Sequence, residues 1–210
     1  MKFDPQKHHR RSIRLQNYDY TQVGAYFVTI NTFQRECLFG EILNGEMMLS
    51  DYGKMVEEFW NEIPNHFLHV ETDAFTVMPN HIHGIIVIAQ TVSPAGGAHE
   101  GAHEGGAQHA APVRPNVAPV RPNVAPVRPN VAPVRPNVAP GSLGAIVRSF
   151  KSAVTKRINI SRSTPSAPVW QRNYYEHVIR NESDLQRVRD YIVANPFRWA
   201  KDRNNTQRGD

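Results

Sequence analysis

His81 and His83 flank Ile82 at the head of the run MPNHIHGIIVI, residues 78–88. Side chains in a β-strand repeat every two residues, so both imidazoles project from one face. Two nitrogens at that spacing can grip one divalent cation and leave its other positions open. Far along the chain, Tyr191 and Asn195 stand four residues apart, and on a helix they lie one above the other. Tyr191 offers a phenolic nucleophile, and Asn195 offers a carbonyl oxygen to a hard cation. Two nitrogens and one oxygen make a mixed, open shell that suits Mg²⁺ or Mn²⁺ better than a closed structural zinc. Cys37 is the single cysteine, so the chain has neither a cysteine pair for zinc nor an intrachain disulfide. A cation held this way polarises a phosphate oxygen and stabilises the charge that develops on it. Attack by a phenol would leave a covalent phosphotyrosine and a freed hydroxyl. That linkage conserves the energy of the broken phosphodiester, so a strand could be rejoined or transferred without ATP.

Each of these residues has a plainer role when taken alone. A strand histidine is commonly a hydrogen-bonded structural residue, a helical tyrosine commonly packs, and Asn195 can close a helix. The chemistry therefore depends on elements that bring them together. Residues 25–33 alternate as a first strand, and Asn44-Gly45 between apolar flanks marks a hairpin over 41–49. Met55, Val56, Phe59, Trp60 and Ile63 follow helical spacing from Ser50 until Pro64. Residues 70–78 read as a strand, Pro79-Asn80 as a turn, and 81–89 as the histidine-bearing strand. Leu143, Ile146, Val147, Phe150 and Val154 make one stripe of a helix over 143–158. Residues 169–179 read as another strand. Ser183, with Gln186 three residues on, predicts a capped helix through Leu185, Val188 and Ile192 that ends before Pro196. Mixed elements with tight turns predict an α+β fold with helices packed on a largely antiparallel sheet.

Residues 91–141 break this pattern. They are rich in Gly, Ala, Pro and His, and they carry the unit APVRPNV four times between Ala111 and Val138. Two prolines per unit exclude helix and central strand, so this segment reads as an extended linker. About 160 residues remain outside it, enough for one domain with a real core, which is formed by 18–90 and 142–200. A basic arm over 1–17 precedes it and a polar tail over 201–210 follows. The net charge of +5 includes one arginine per repeat, so the total is weak evidence for nucleic acid. The distribution says more. Arg10, Arg11 and Arg14 crowd the arm, and Arg148, Lys151, Lys156 and Arg157 fall in a stretch from Ser142 to Trp170 without an acid. Clusters of this kind suit a phosphate backbone, though they also occur as solvated surfaces. No apolar run is long enough to span a membrane and no secretory leader is visible, so the expectation is a cytoplasmic protein with no membrane partner.

Five blocks resemble the REP-associated tyrosine transposases, relatives of the single-tyrosine HUH transposases. They are RRSIRL (10–15), YDYTQVGAYFVTI (18–30), MPNHIHGIIVI (78–88), WQRNYYEHVIRN (170–181) and DYIVANPFRW (190–199). The resemblance implies a ferredoxin-like sandwich. It implies His81 and His83 as metal ligands, Tyr191 as the nucleophile, and Asn195 at the place of a third polar ligand. It further implies cleavage of single-stranded DNA at hairpins through a 5′-phosphotyrosine. Tyr174 and Tyr175 could stack on bases or pack a helix, and His177 could approach the metal or a phosphate. Relatives act as monomers or exchange the tyrosine helix between two subunits, so monomer and homodimer both stand open. Two rivals remain at this level. One is a domesticated hairpin-binding protein with little or no catalysis, and the other is a plain metal- or RNA-binding α+β module.

Overall fold

The computed structural model describes residues 18–90 and 139–206. The basic arm with Arg10, Arg11 and Arg14, and the repeat linker, lie outside the described residues. Among the described residues six strands and four α-helices follow in order: β1 (Gly24–Asn31), β2 (Gly40–Leu43), β3 (Glu46–Leu49), α1 (Asp51–Asn61), α2 (Ile63–His66), β4 (Val70–Met78), β5 (His81–Ile88), α3 (Leu143–Ser161), β6 (Tyr175–Ile179) and α4 (Glu182–Ala194). Four strands make the main sheet in the order β4-β5-β1-β6, with every neighbouring pair antiparallel. Without the small β2-β3 hairpin and the short α2, the chain runs βαββαβ followed by α4, and the strand order is that of a ferredoxin-like fold. The fold is α+β, as its sequence pattern predicts.

The sheet is covered on both sides, which explains why β5 is buried almost end to end. One face carries Tyr26, Val28, Ile30, Ile82 and Ile86 against Val56 and Trp60 of α1 and the stripe of α3. The other face carries Phe27 and Ile85 against Val188 and Ile192 of α4. Gly84 sits where α1 comes closest. A Cβ there would stand 2.3 Å from the Trp60 ring, which itself stacks on Phe75 at 4.5 Å. Asn44 and Gly45 both have positive φ, 53° and 83°, as a two-residue type I′ hairpin requires.

Three boundaries differ from the sequence pattern. The α4 cap is Asn181, whose side chain accepts from the Asp184 amide, and Ser183 lies inside the helix. An asparagine fulfils the cap as well as a serine, and Asn181 comes first in the chain. Residues 169–174 form no strand. Trp170 makes one isolated bridge to Thr32, and regular pairing with β1 begins only at Tyr175. Pro64 does not simply stop a helix: α1 ends at Asn61, and Pro64 occupies the first turn of α2, where its missing N–H costs nothing.

Candidate active site

β5 sets the histidines. His81 and His83 point to the face that α4 covers, because they alternate with Ile82 and Gly84 on the α1 side. Across the ladder, His83 is opposite Thr29 of β1 and Thr76 of β4, and His81 is opposite Asn31 and Met78. Both histidines are buried, at 0% and 1% exposure. Their Nε2 atoms stand 3.0 Å apart. Two ligands at right angles, each about 2.1 Å from a cation, would be about 3.0 Å apart.

The hydrogen-bond network selects the tautomer of His81. Asn80 Nδ2 donates to the carbonyls of Arg35 at 3.1 Å and Asn204 at 2.7 Å. Those carbonyls only accept, so the atom of Asn80 that faces His81 Nδ1 at 2.8 Å is Oδ1. His81 Nδ1 therefore donates to it, and His81 Nε2 presents a bare lone pair. His83 Nδ1 lies 2.8 Å from Thr29 Oγ1. A hydroxyl donates or accepts, so Thr29 permits His83 to turn its own Nε2 lone pair to the same place. This outer tier of partners is the usual support of metal-ligating histidines.

Burial keeps both rings neutral. Desolvation, then the cationic Arg35 and Arg203, push His81 down to about 3. Desolvation and the neighbouring His81 hold His83 well below the usual histidine range, although Asp202 works the other way. The Asp202 carboxylate is 3.8 Å from His81 Nε2 and its side chain is 6% exposed. Burial outweighs that attraction. His81, His83 and Asp202 offer ligand atoms that all lie within 4.8 Å of one another, and this group can hold a metal ion. The donors fit such an ion in a second respect. Asn31 Oδ1, on the strand position opposite His81, and Asn195 Oδ1 are buried without a hydrogen-bond partner. Buried acceptors left in that state are costly, about 1–3 kcal/mol each, unless a further group supplies them.

Tyr191 completes the arrangement. Its hydroxyl is 3.4 Å from His83 Nε2, and its ring meets those of His83 at 5.1 Å and Phe27 at 5.9 Å. The residue is 39% exposed, so it is not sealed inside the fold. Burial pushes the phenol up, the Asn195 side chain pulls it down, and the nearby charges of Asp202, Arg203 and Arg198 divide in sign. The helix is held in place from two sides. A register shift in β4 between Thr72 and Phe75 frees Asp73, whose carboxylate takes Arg189 at 3.0, 3.2 and 2.6 Å. Val188 and Ile192 pack on Phe27 and Ile85. The final helix thus brings Tyr191 over the histidine face.

The structure places the other residues as follows. Asn195 is the C-cap of α4, buried to 2% and beside Tyr191. Asp202 falls in the stretch read as a polar tail, and its carboxylate was not among the ligands that the spacing suggested. The stretch is tied down: Asn204 N donates to Asp202 Oδ1 at 2.6 Å, and Arg35 donates to the Arg203 carbonyl at 3.0 Å. Arg35 itself has φ 57° after Gln34 at 54°, a left-handed pair of non-glycine residues next to the site. His177 faces α4 and pairs with Asp184 at 2.9 Å. Tyr175 is partly exposed near Phe27, whereas Tyr174 packs against the larger core. Arg148, Lys151 and Lys156 lie on α3, on the opposite side of the sheet, with Arg157 exposed on the same helix.

Comparison with known proteins agrees with this architecture. No model of a known protein family matches the chain. A REP-associated tyrosine transposase, solved bound to a REP hairpin, shares the fold with a TM-score of 0.50 and 17% identity, over 87% of this chain and 72% of that one. The fold is therefore that of a tyrosine transposase, as the five sequence blocks imply. An uncharacterized protein of Haemophilus influenzae is 37% identical over 201 residues, 96% of each chain, and the present chain belongs to one family with it. Among the described residues no helix is long and apolar enough to cross a membrane.

Proposed function

We propose that this protein is a metal-dependent transposase that cleaves single-stranded DNA at hairpins and transfers the strand through Tyr191. The observation that carries the reading is the contact of the Tyr191 hydroxyl with His83 Nε2 at 3.4 Å, itself 3.0 Å from His81 Nε2. Binding alone needs no such juxtaposition of a nucleophile and two bare imidazole nitrogens. His81, His83 and Asp202 would hold Mn²⁺ or Mg²⁺, with Asn195 next to the tyrosine as a further oxygen donor. A bound cation supplies a Lewis acid for a phosphate oxygen. Imidazole donors bind Mg²⁺ poorly, so Mn²⁺ is the better occupant of this mixed set.

Tyr191 Oη forms a bond to phosphorus while the bond to the leaving O3′ breaks. The products are a 5′-phosphotyrosine and a strand ending in a 3′-hydroxyl, which takes up one proton. A phenol is protonated at neutral pH and burial raises this one further, so its proton must leave as the new bond forms. His83 Nε2 cannot serve as ligand and base together. The 39% exposure of Tyr191 lets that proton pass to solvent instead. Attack of a 3′-hydroxyl on the phosphotyrosine reverses the sequence and restores a phosphodiester.

The test incubates the protein with labelled hairpin DNA and Mn²⁺, then denatures it and looks for a surviving protein–DNA adduct. The parent should form the adduct, and Tyr191→Phe or a chelator should abolish it. An adduct that persists in Tyr191→Phe removes the tyrosine from its role. Hairpin binding without any adduct would favour a domesticated binding protein.

A further inference from the structure

We infer that the groove between α3 and residues 163–174 is a second nucleic-acid site, which takes a single strand of DNA flanking the point of cleavage. The groove has a volume of about 1000 Å³. It lies on the α1–α3 side of the sheet, opposite the histidines and Tyr191. Its lining contains Arg148, Lys151, Lys156 and Arg172 and no carboxylate. Among the described residues none of these four cations is paired with an acid. Uncompensated positive charge along a groove is the electrostatic complement of a phosphodiester backbone.

The floor decides which form of DNA fits. Val147, Ile160, Pro165 and Val169 make it largely apolar, and Ile160 is 63% exposed. A duplex hides its bases and would leave such a floor unused, whereas unpaired bases cover apolar and aromatic surface. The groove is also built to hold its shape. Lys151 donates to the carbonyls of Gln171 at 2.6 Å and Arg172 at 3.2 Å, which binds the 170s segment to α3. Burial pushes its amine down to about 8.

A route joins the two sites around the β6 edge of the sheet. Tyr174 lines the groove, and the next residue, Tyr175, opens β6 and turns to Phe27 at 6.2 Å. Phe27 in turn touches Tyr191. Tyr174 packs on the α1–α3 cluster and Tyr175 on Phe27, so these tyrosines offer a ring on either side of the edge. The acid-free run of α3 thus acquires a role that the tyrosine site does not absorb.

This inference rests on the reading that the protein handles single-stranded DNA, and the test separates the two. Binding of a labelled single-stranded oligonucleotide is measured by fluorescence anisotropy across a salt series. The subjects are the parent, Tyr191→Phe, and the triple variant Arg148→Glu, Lys156→Glu, Arg172→Glu, all changed at exposed positions. Tyr191→Phe should bind like the parent. The triple variant should bind at least tenfold more weakly, with a salt slope shallower by about 2 for three lost phosphate contacts. It should keep the parent's Tm and Mn²⁺ affinity. Parental affinity and salt slope in the triple variant would overturn the groove while leaving the tyrosine chemistry standing. A parent that binds no single strand at all would overturn both. A crosslinking arm with 5-iodouracil in the oligonucleotide should label Tyr174 or its neighbours on the groove, and labelling confined to the α4 face would also refute it.

Discussion

Replacing Asn80 by alanine should damage metal binding and stability together, by two separable routes. The side chain is fully buried and makes three hydrogen bonds, to Arg35 O, Asn204 O and His81 Nδ1. Truncation leaves two carbonyls and one N–H without partners inside the protein. At about 1 kcal/mol for each lost bond, the loss is about 3 kcal/mol, and more where no water enters. For a folded part of this size that corresponds to roughly 6–12 °C in Tm. The second route runs through the site. Without Oδ1 the His81 tautomer is no longer selected, and without Nδ2 the segment that carries Asp202 loses an anchor. Loss of an outer-tier partner typically costs about 10–100-fold in metal affinity. Calorimetric titration with Mn²⁺ well below the unfolding temperature measures one effect, and scanning calorimetry measures the other. Asn80→Asp retains an acceptor for His81 but no donor for the two carbonyls. It should recover part of the metal affinity and little of the stability. Unchanged Mn²⁺ affinity in Asn80→Ala, even with a lowered Tm, would refute the tautomer argument.

Gly84→Ala drives a Cβ to 2.3 Å from the Trp60 ring and should cost about 1–3 kcal/mol in urea denaturation; parental stability would show that α1 retreats freely. Asp73→Asn removes the partner of Arg189, which is partly exposed, so stability should change by about 1 kcal/mol or less. The rate of adduct formation should nevertheless fall about tenfold as Tyr191 loses its fixed position, and an unaltered rate would show that the pair does not place the helix. The pH dependence of stability has a definite sign. His81 is depressed to about 3 in the folded protein against about 6.5 unfolded, so its contribution is intact above pH 6.5 and is lost as pH falls towards 3. At pH 5 the loss from His81 is about 2 kcal/mol. Denaturation curves at pH 7 and pH 5 should show it in the parent and show less of it in His81→Gln.

The legible parts of this protein are those set by short-range periodicity. The two-residue spacing of His81 and His83 puts them on one face, and Asn44-Gly45 makes the turn it signals. The four-residue spacing of Tyr191 and Asn195 puts the two side chains next to each other on α4, with Asn195 as its cap. What escapes are contacts that only the closed fold creates. Asp202 has no periodic neighbour, and its polar surroundings read as a tail, yet a 3₁₀ turn over Pro196–Lys201 returns it to His81. Asn80 looks like a turn residue beside Pro79. Its role as selector of a tautomer depends on Arg35 and Asn204, far away in sequence on either side. The left-handed pair Gln34-Arg35 carries no glycine to announce it.

The two faces of the sheet are packed unequally, and this bears on how the proposed covalent intermediate would be accommodated. The α1–α3 face buries the larger cluster, including Trp60, Phe150 and Trp170, and it closes the fold. The α4 face has Phe27, Ile85, Val188 and Ile192 as its buried apolar residues, with the Arg189–Asp73 and His177–Asp184 contacts beside them. Buried apolar area is the main source of docking energy, so α4 is bound less firmly than α3. Segments with few buried contacts open at lower free energy than the core. Under the proposed reaction, a helix that carries a DNA strand on Tyr191 and later releases it gains from such a margin. The histidines sit instead on β5, between two strands and buried almost throughout. The rigid element thus holds the histidines and the looser one holds Tyr191, and amides of α4 should exchange with solvent before those of β5.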